Sequence, residues 1–147
     1  MTALYPALIV THAILTTFGL VGLIATNACL LLFFRNSDAG ALATGIRTWR
    51  RAARIFGPTL GLGILAGFGL AIAMGMPLGA AWLVATYALI AIVLAVQATV
   101  MVPWQVRANA AIGRGEVELV STRPVALVLS LGCVAYVAIL TLMLLRP

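Results

Sequence analysis

Four long apolar stretches follow one another along the chain, and short polar segments separate them. The apolar stretches cover about 3–34, 57–76, 80–104 and 124–145. Each one is as long as or longer than the roughly 20 residues that an α-helix needs to cross the hydrocarbon core of a bilayer. The pattern therefore predicts an all-α membrane protein, in which a single domain, 1–147, forms an antiparallel bundle of four transmembrane helices.

The segment before the second span has a pattern of its own. Apolar residues recur at helical spacing from Ile46 to Phe56, and arginines take the other side. This amphipathic pattern predicts a short basic interfacial helix that leads into the second span. After that span, Pro77-Leu78-Gly79 forms an uncharged turn that predicts spans two and three to be antiparallel neighbours. The predicted basic surface consists of Arg47, Trp49, Arg50, Arg51 and Arg54.

The composition excludes a soluble protein. Hydrophobic residues make up 64% of the chain, charged residues 8%, and the mean hydropathy is +1.19, whereas about a quarter of the residues of a soluble domain are charged. The net charge is +6, but the arginines flank apolar spans and lack the interleaved aromatic residues of a nucleic-acid surface. We therefore expect the bilayer and its anionic lipids as partners, and no nucleic acid.

The charges also predict how the chain is oriented. Of the nine arginines and three acidic residues, all but one fall within 35–54 and 107–123. These two segments follow spans one and three, so they lie on the same side of a four-span protein. Because positive residues collect on the cytoplasmic side of a membrane, we expect both termini on the outer side.

His12 is the single histidine and lies in the outer half of the first span. An ionisable residue at that depth suggests a function, because hydrocarbon offers it no hydrogen bond. With a methionine it is suited to hold haem b or copper; the cofactor itself stays unknown. The alternative is a neutral imidazole that joins two helices through a hydrogen bond, and we favour it because haem sites in bundles usually have a second histidine. The candidate ligand set at this depth is His12, Met74, Met76, Tyr87 and Tyr136.

Small residues recur at four-residue spacing along the second span. Such residues allow another helix to approach closely, since lipid tails supply no hydrophobic drive between helices. The surface serves either packing within the bundle or contact with another subunit or a second copy. It consists of Gly57, Gly61, Gly63, Gly67, Ala71 and Gly75.

Four local patterns carry a resemblance to a known group. They are His12 in the first span, Trp49-Arg50-Arg51-Ala-Ala-Arg54, Trp104-Gln-Val-Arg107 and the final Leu144-Leu145-Arg146-Pro147. With these patterns the chain resembles small four-helix bacterial membrane proteins of unknown function that are grouped with copper-resistance D-type proteins. This resemblance implies a four-helix fold in the bacterial inner membrane.

A more distant resemblance is to the HemJ-type protoporphyrinogen oxidase, a four-helix protein with a histidine in its first span. It implies haem bound at His12. That family relies on a lysine in a later span, and this chain contains no lysine. The resemblance thus extends to a haem ligand and not to the oxidase activity.

Two functions follow from these patterns. The first is a non-catalytic membrane protein that acts through its helix surfaces, as an accessory or assembly subunit of a bacterial membrane complex or by self-association. The second is a redox protein that binds haem b or copper through His12. We favour the first, because the spans contain no acidic residue and the chain shows no motif of a known reaction.

Overall fold

The structure is a computed structural model that describes residues 4–35, 39–116 and 120–144. It contains five α-helices in these ranges, with no β-strand among them. A π-helical turn, Gln97–Met101, joins the third helix to the fourth without a break. The α-helices are α1 (Leu4–Phe34), α2 (Ala39–Ala73), α3 (Ala81–Val96), α4 (Val102–Gly113) and α5 (Arg123–Leu144).

Four helical stretches in the described part of the chain are long and apolar enough to cross a membrane. They are Pro6–Phe34, Gly40–Ala73, Ala81–Gly113 and Arg123–Leu144. The all-helical, four-span prediction is therefore confirmed. The protein is a multi-pass membrane protein.

The basic segment before the second span is continuous with that span. Helix α2 runs from Ala39 to Ala73 and contains Pro58 within it, so no break separates the arginines from the apolar part. Pro58 has no N–H group to donate. The bond that it cannot make would go to the carbonyl oxygen of Arg54, four residues earlier. The neighbouring Thr59 hydroxyl donates to the carbonyl oxygen of Ile55 at 2.8 Å.

The third span extends nine residues beyond Trp104, where the sequence placed its end. The π turn makes this possible: the N–H of Val102 donates to the carbonyl oxygen of Gln97, five residues earlier. Pro103 is the second residue of α4 and follows the π turn directly. The helix therefore passes through Pro103, next to the residue at which the apolar stretch 80–104 ends.

Helices α1 and α2 pack closely because glycines remove side chains between them. A Cβ atom on Gly19 would lie 2.8 Å from Leu60, and one on Gly45 would lie 2.6 Å from Phe33. Real Cβ atoms essentially never approach other atoms so closely. The contact surfaces of α1 and α2 thus depend on these glycines.

The bundle has two ends that differ in character. At one end Trp49, Trp104 and Val125 belong to one buried apolar cluster, and the ring centroids of Phe34 and Trp104 lie 5.8 Å apart. We call it the arginine end, because Arg47 and the segment around Arg107 lie there. The opposite end, near His12, is called the histidine end.

Helices α2 and α3 hardly touch, although the short turn after Met76 joins them. The turn itself is tight, with the Ala80 N–H bonded to the Pro77 carbonyl oxygen at 2.9 Å and Gly75 in the left-handed region at a φ of 63°. Beyond the turn, α3 packs against α5, while α2 packs against α1. This packing leaves a gap between α2 and α3, which we call the seam. Two cavities open along it.

Candidate functional site

The imidazole of His12 is held by the backbone of the neighbouring helix. Its Nδ1 atom lies 2.8 Å from the carbonyl oxygen of Gly63. A carbonyl oxygen only accepts hydrogen bonds, so Nδ1 carries the proton and donates it. The Thr16 hydroxyl lies 3.2 Å from the same nitrogen and shares this proton as a second acceptor.

This hydrogen bond fixes the state of the other ring nitrogen. A neutral imidazole has one N–H group, so Nε2 keeps its lone pair. Among the described residues, none hydrogen-bonds to Nε2. The His12 ring is thus oriented through one nitrogen and presents the other as a ligand atom, the arrangement that metal-binding histidines usually show.

Two glycines of α2 make room for this ring and for its partner. A Cβ atom on Gly67 would lie 2.5 Å from Cε1 of His12, and one on Gly63 would lie 2.6 Å from Oγ1 of Thr16. The structure therefore places this part of the small-residue surface against α1, inside the bundle. Ala71, one turn further on, is buried as well.

The other glycines of the predicted surface have no such neighbour. A Cβ atom on Gly57, Gly61 or Gly75 would meet nothing within 4 Å. Gly57 and Gly61 face the seam between α2 and α3, where they line a cavity, while Gly75 lies in the turn after α2. The six-residue surface is therefore divided between internal packing and open space.

A cavity of about 240 Å³ lies at the histidine end, and all four spans contribute to its wall. Of the candidate ligand set, it brings together His12, Met76 and Tyr87. The Tyr87 ring also lies beside Phe68, with centroids 6.2 Å apart. We call this space the His12 cavity; its other lining residues include Trp82, Thr86 and Met143.

Two members of the candidate set lie elsewhere. Met74 is 41% exposed and is absent from the cavity lining. Tyr136 is buried nearer the arginine end, where it lines a second cavity of about 280 Å³. Depth along the sequence could place these side chains in one half of the membrane, but it could not tell on which side of its helix each one lies.

The basic surface of α2 is made by its arginines alone. Arg47, Arg51 and Arg54 are exposed, whereas Trp49 is only 5% exposed and points into the bundle. The Trp49 indole N–H donates to Oδ1 of Asn27 at 3.0 Å. The tryptophan of this segment therefore belongs to the core rather than to the basic surface.

A metal at His12 would need ligands other than carboxylates and thiolates. Within the described residues, no group of three or more His, Cys, Asp or Glu side chains is placed to hold a metal ion. The groups that share the cavity with His12 include the thioethers of Met76 and Met143 and hydroxyls such as those of Thr86 and Tyr87. All of them are neutral, and the thioethers are soft ligands.

The Gly63 carbonyl is the functional group that sequence reasoning missed. It orients His12, but a backbone oxygen leaves no side-chain signal in the sequence. The only available hint was the coincidence of a histidine and a small-residue surface on consecutive spans. No family model, curated protein or solved structure matches the chain.

Proposed function

We propose that the protein is a membrane protein that binds a copper ion through Nε2 of His12. The observation that carries this proposal is the hydrogen bond from Nδ1 to the Gly63 carbonyl oxygen, at 2.8 Å. It orients the ring, selects the tautomer and leaves Nε2 as the free donor atom. His12 also lines a cavity, which a histidine that served only to join two helices would not need.

The surroundings of His12 favour copper over haem b. Thioether and imidazole ligands together suit Cu(I), which is a soft ion. The His12 cavity of about 240 Å³ is smaller than the roughly 300–1,000 Å³ of pockets that bury a drug-sized ligand. A porphyrin would require α2 and α3 to separate further, while a single ion would not.

The experiment is a copper-binding measurement on the purified chain in detergent. The protein is loaded with Cu(I) under ascorbate, excess ion is removed, and bound copper is measured by atomic absorption. We expect stoichiometric copper in the wild type, none in His12→Ala, and affinity lower by roughly tenfold or more in Met76→Leu.

Met74→Leu is the matched control, because Met74 lies outside the cavity, and it should bind copper as the wild type does. Equal copper in the wild type and His12→Ala would refute the proposal. A Soret band that is lost in His12→Ala would instead identify haem b as the ligand.

A second function, that of an accessory or self-associating subunit, is favoured by Gly57 and Gly61. They leave open space in the seam between α2 and α3, where a transmembrane helix of a partner can approach closely. Mass measurement in lipid nanodiscs tests it. We expect a mass above the 15.3 kDa of one chain, reduced to that value by Gly57→Leu but not by Gly69→Leu, because Gly69 is an exposed glycine outside the seam. A stable monomer would contradict it.

The proposal includes an orientation in the bacterial inner membrane. We place the arginine end on the cytoplasmic side, with both termini outside and the four spans antiparallel. The positive-inside rule supports this orientation. Exposed arginines at the start of α2, among them Arg51 and Arg54, then lie among anionic headgroups.

A further inference from the structure

The second cavity lies between the His12 cavity and the arginine end. It has a volume of about 280 Å³ and, like the first, it is bounded by residues of all four spans. Ile64 and Ile90 line both cavities, so these two side chains form the partition between them. We call this second space the inner cavity.

Most of the inner cavity wall is apolar, but one part of it is polar and uncharged. Gln97 and Tyr136 both line it. Asn27, 2% exposed, and Trp49 complete this part of the wall. Among the described residues that line the cavity, no side chain is charged.

The polar groups of this wall can form more hydrogen bonds than they form with one another. A glutamine amide has two N–H groups and an oxygen with two lone pairs, and a tyrosine hydroxyl both donates and accepts. The capacity of Gln97 and Tyr136 that no protein partner takes up faces the cavity. A lipid tail in the cavity would satisfy none of it, and unsatisfied polar groups are costly in hydrocarbon.

The backbone is irregular at the same place. Gln97 is the first residue of the π turn, the point where the third span leaves regular α-helical geometry. Such turns occur often at functional sites. Because Gly57 and Gly61 carry no side chain into the seam, the cavity also has access from the lipid side between α2 and α3.

We propose that the inner cavity binds a neutral, lipid-soluble molecule that carries a carbonyl or hydroxyl group. The polar group of this ligand hydrogen-bonds to Gln97 and Tyr136, and its apolar body fills the space beside Gly57 and Gly61. The uncharged wall excludes ions and charged headgroups. This site is distinct from the copper site at His12, and neither depends on the other. It is an alternative to the partner helix considered above, because both would fill the space beside Gly57 and Gly61.

The test uses benzophenone, a neutral and lipid-soluble ketone that inserts into nearby C–H bonds under ultraviolet light. The full chain in nanodiscs is irradiated with it, and the labelled residues are mapped by mass spectrometry. We expect label on residues 90–97 and 136–139, with strong competition by an excess of cyclododecanone. Gln97→Leu and Tyr136→Phe should each lower this label at least fivefold.

Matched variants separate loss of the site from loss of the fold. Gln105→Leu changes a glutamine of the same span outside the cavity, and it should label as the wild type does. Gly61→Leu fills the cavity and should abolish the label, while Gly69→Leu should not. Helical circular dichroism and elution volume identify any variant that fails to fold.

Three outcomes would overturn the proposal. Label spread evenly over lipid-facing residues such as Leu62 and Ile92, without competition, would show that only lipid fills the cavity. Wild-type labelling in folded Gln97→Leu and Tyr136→Phe would show that the polar wall plays no part. A disulfide that joins two chains of a Gly61→Cys variant lacking Cys29 and Cys133, formed with an added oxidant, would show that a second copy occupies the seam.

Discussion

Trp49 donates its indole N–H to Oδ1 of Asn27 across 3.0 Å, and this bond ties the arginine-bearing turn of α2 to the middle of α1. Both side chains are almost fully buried. The segment that carries the arginines is thus fixed to the core through Trp49. The exposed arginines of this segment are then available for contacts outside the protein.

Trp49→Phe should therefore lower the free energy of unfolding. The substitution keeps an aromatic ring but removes the donor, which leaves Oδ1 of Asn27 without this partner in an apolar environment. Interhelical hydrogen bonds in membranes contribute about 0.6 kcal/mol on average, so we expect a loss of about 1 kcal/mol once the unsatisfied oxygen is included. Unfolding in mixed detergent micelles, followed by circular dichroism, measures it. Trp82→Phe is the control, and an equal loss there would contradict the assignment.

Alanine at Gly67 and alanine at Gly69 should have opposite consequences. The new methyl group at Gly67 would lie 2.5 Å from the His12 ring, whereas at Gly69 it would meet nothing within 4 Å. We expect Gly67→Ala to destabilise the protein by about 1–3 kcal/mol, the usual cost of overpacking. It should also weaken copper binding, because the ring has to move.

Gly69→Ala should leave both properties unchanged or raise the stability slightly, because alanine is the better helix former. Thermal unfolding and copper titration of the two variants provide the comparison. Similar behaviour of both variants would show that the α1–α2 contact at Gly67 has room for a methyl group.

Cysteine accessibility tests the orientation. In a chain with Cys29 and Cys133 replaced by alanine, a single cysteine is placed at Arg51 or at Gly79, at opposite ends of the bundle. A membrane-impermeant maleimide should label the Gly79→Cys variant in intact cells, and the Arg51→Cys variant only after the membrane is opened. The reverse pattern would invert the proposed topology.

Neutralising exposed arginines should weaken the preference for anionic lipids. Each arginine near a charged membrane surface contributes about 1 kcal/mol, so Arg51→Gln should lower the enrichment of anionic over zwitterionic lipid around the protein by roughly fivefold. Lipid co-purified from mixed nanodiscs, at low and at high salt, measures it. Arg114→Gln is the control, since that guanidinium already pairs with Glu116 at 2.7 Å, and a loss of the same size there would contradict the proposed role of Arg51.

The sequence predicted the spans well because a long apolar run in a bilayer forms a transmembrane helix. It placed their ends less well. Pro58 and Pro103 lie at the ends of the apolar stretches 57–76 and 80–104, yet α2 and the third span continue through both. A membrane helix tolerates proline when neighbouring groups satisfy the backbone, and that depends on tertiary contacts that a linear pattern does not contain.

The site was predictable in part for the same reason. Depth in the membrane grouped His12, Met76 and Tyr87, and the structure places these three side chains around one cavity. It also included Met74 and Tyr136, which face other surroundings. Whether two side chains of equal depth meet depends on how each helix is rotated, and the weak amphipathicity of apolar spans leaves that rotation undetermined.

The π turn at Gln97–Met101 also marks a place where the chain can lose one residue. A backbone bond that spans five residues instead of four accommodates one residue more than a regular helix does. Deleting one residue from this turn would therefore restore an unbroken α-helix, and the spacing of Thr86 and Trp104 along the bundle axis would change little. Related chains that are one residue shorter at this position would keep the fold but lack the irregularity beside the inner cavity. The length of the third span is thus a marker by which such chains can be sorted.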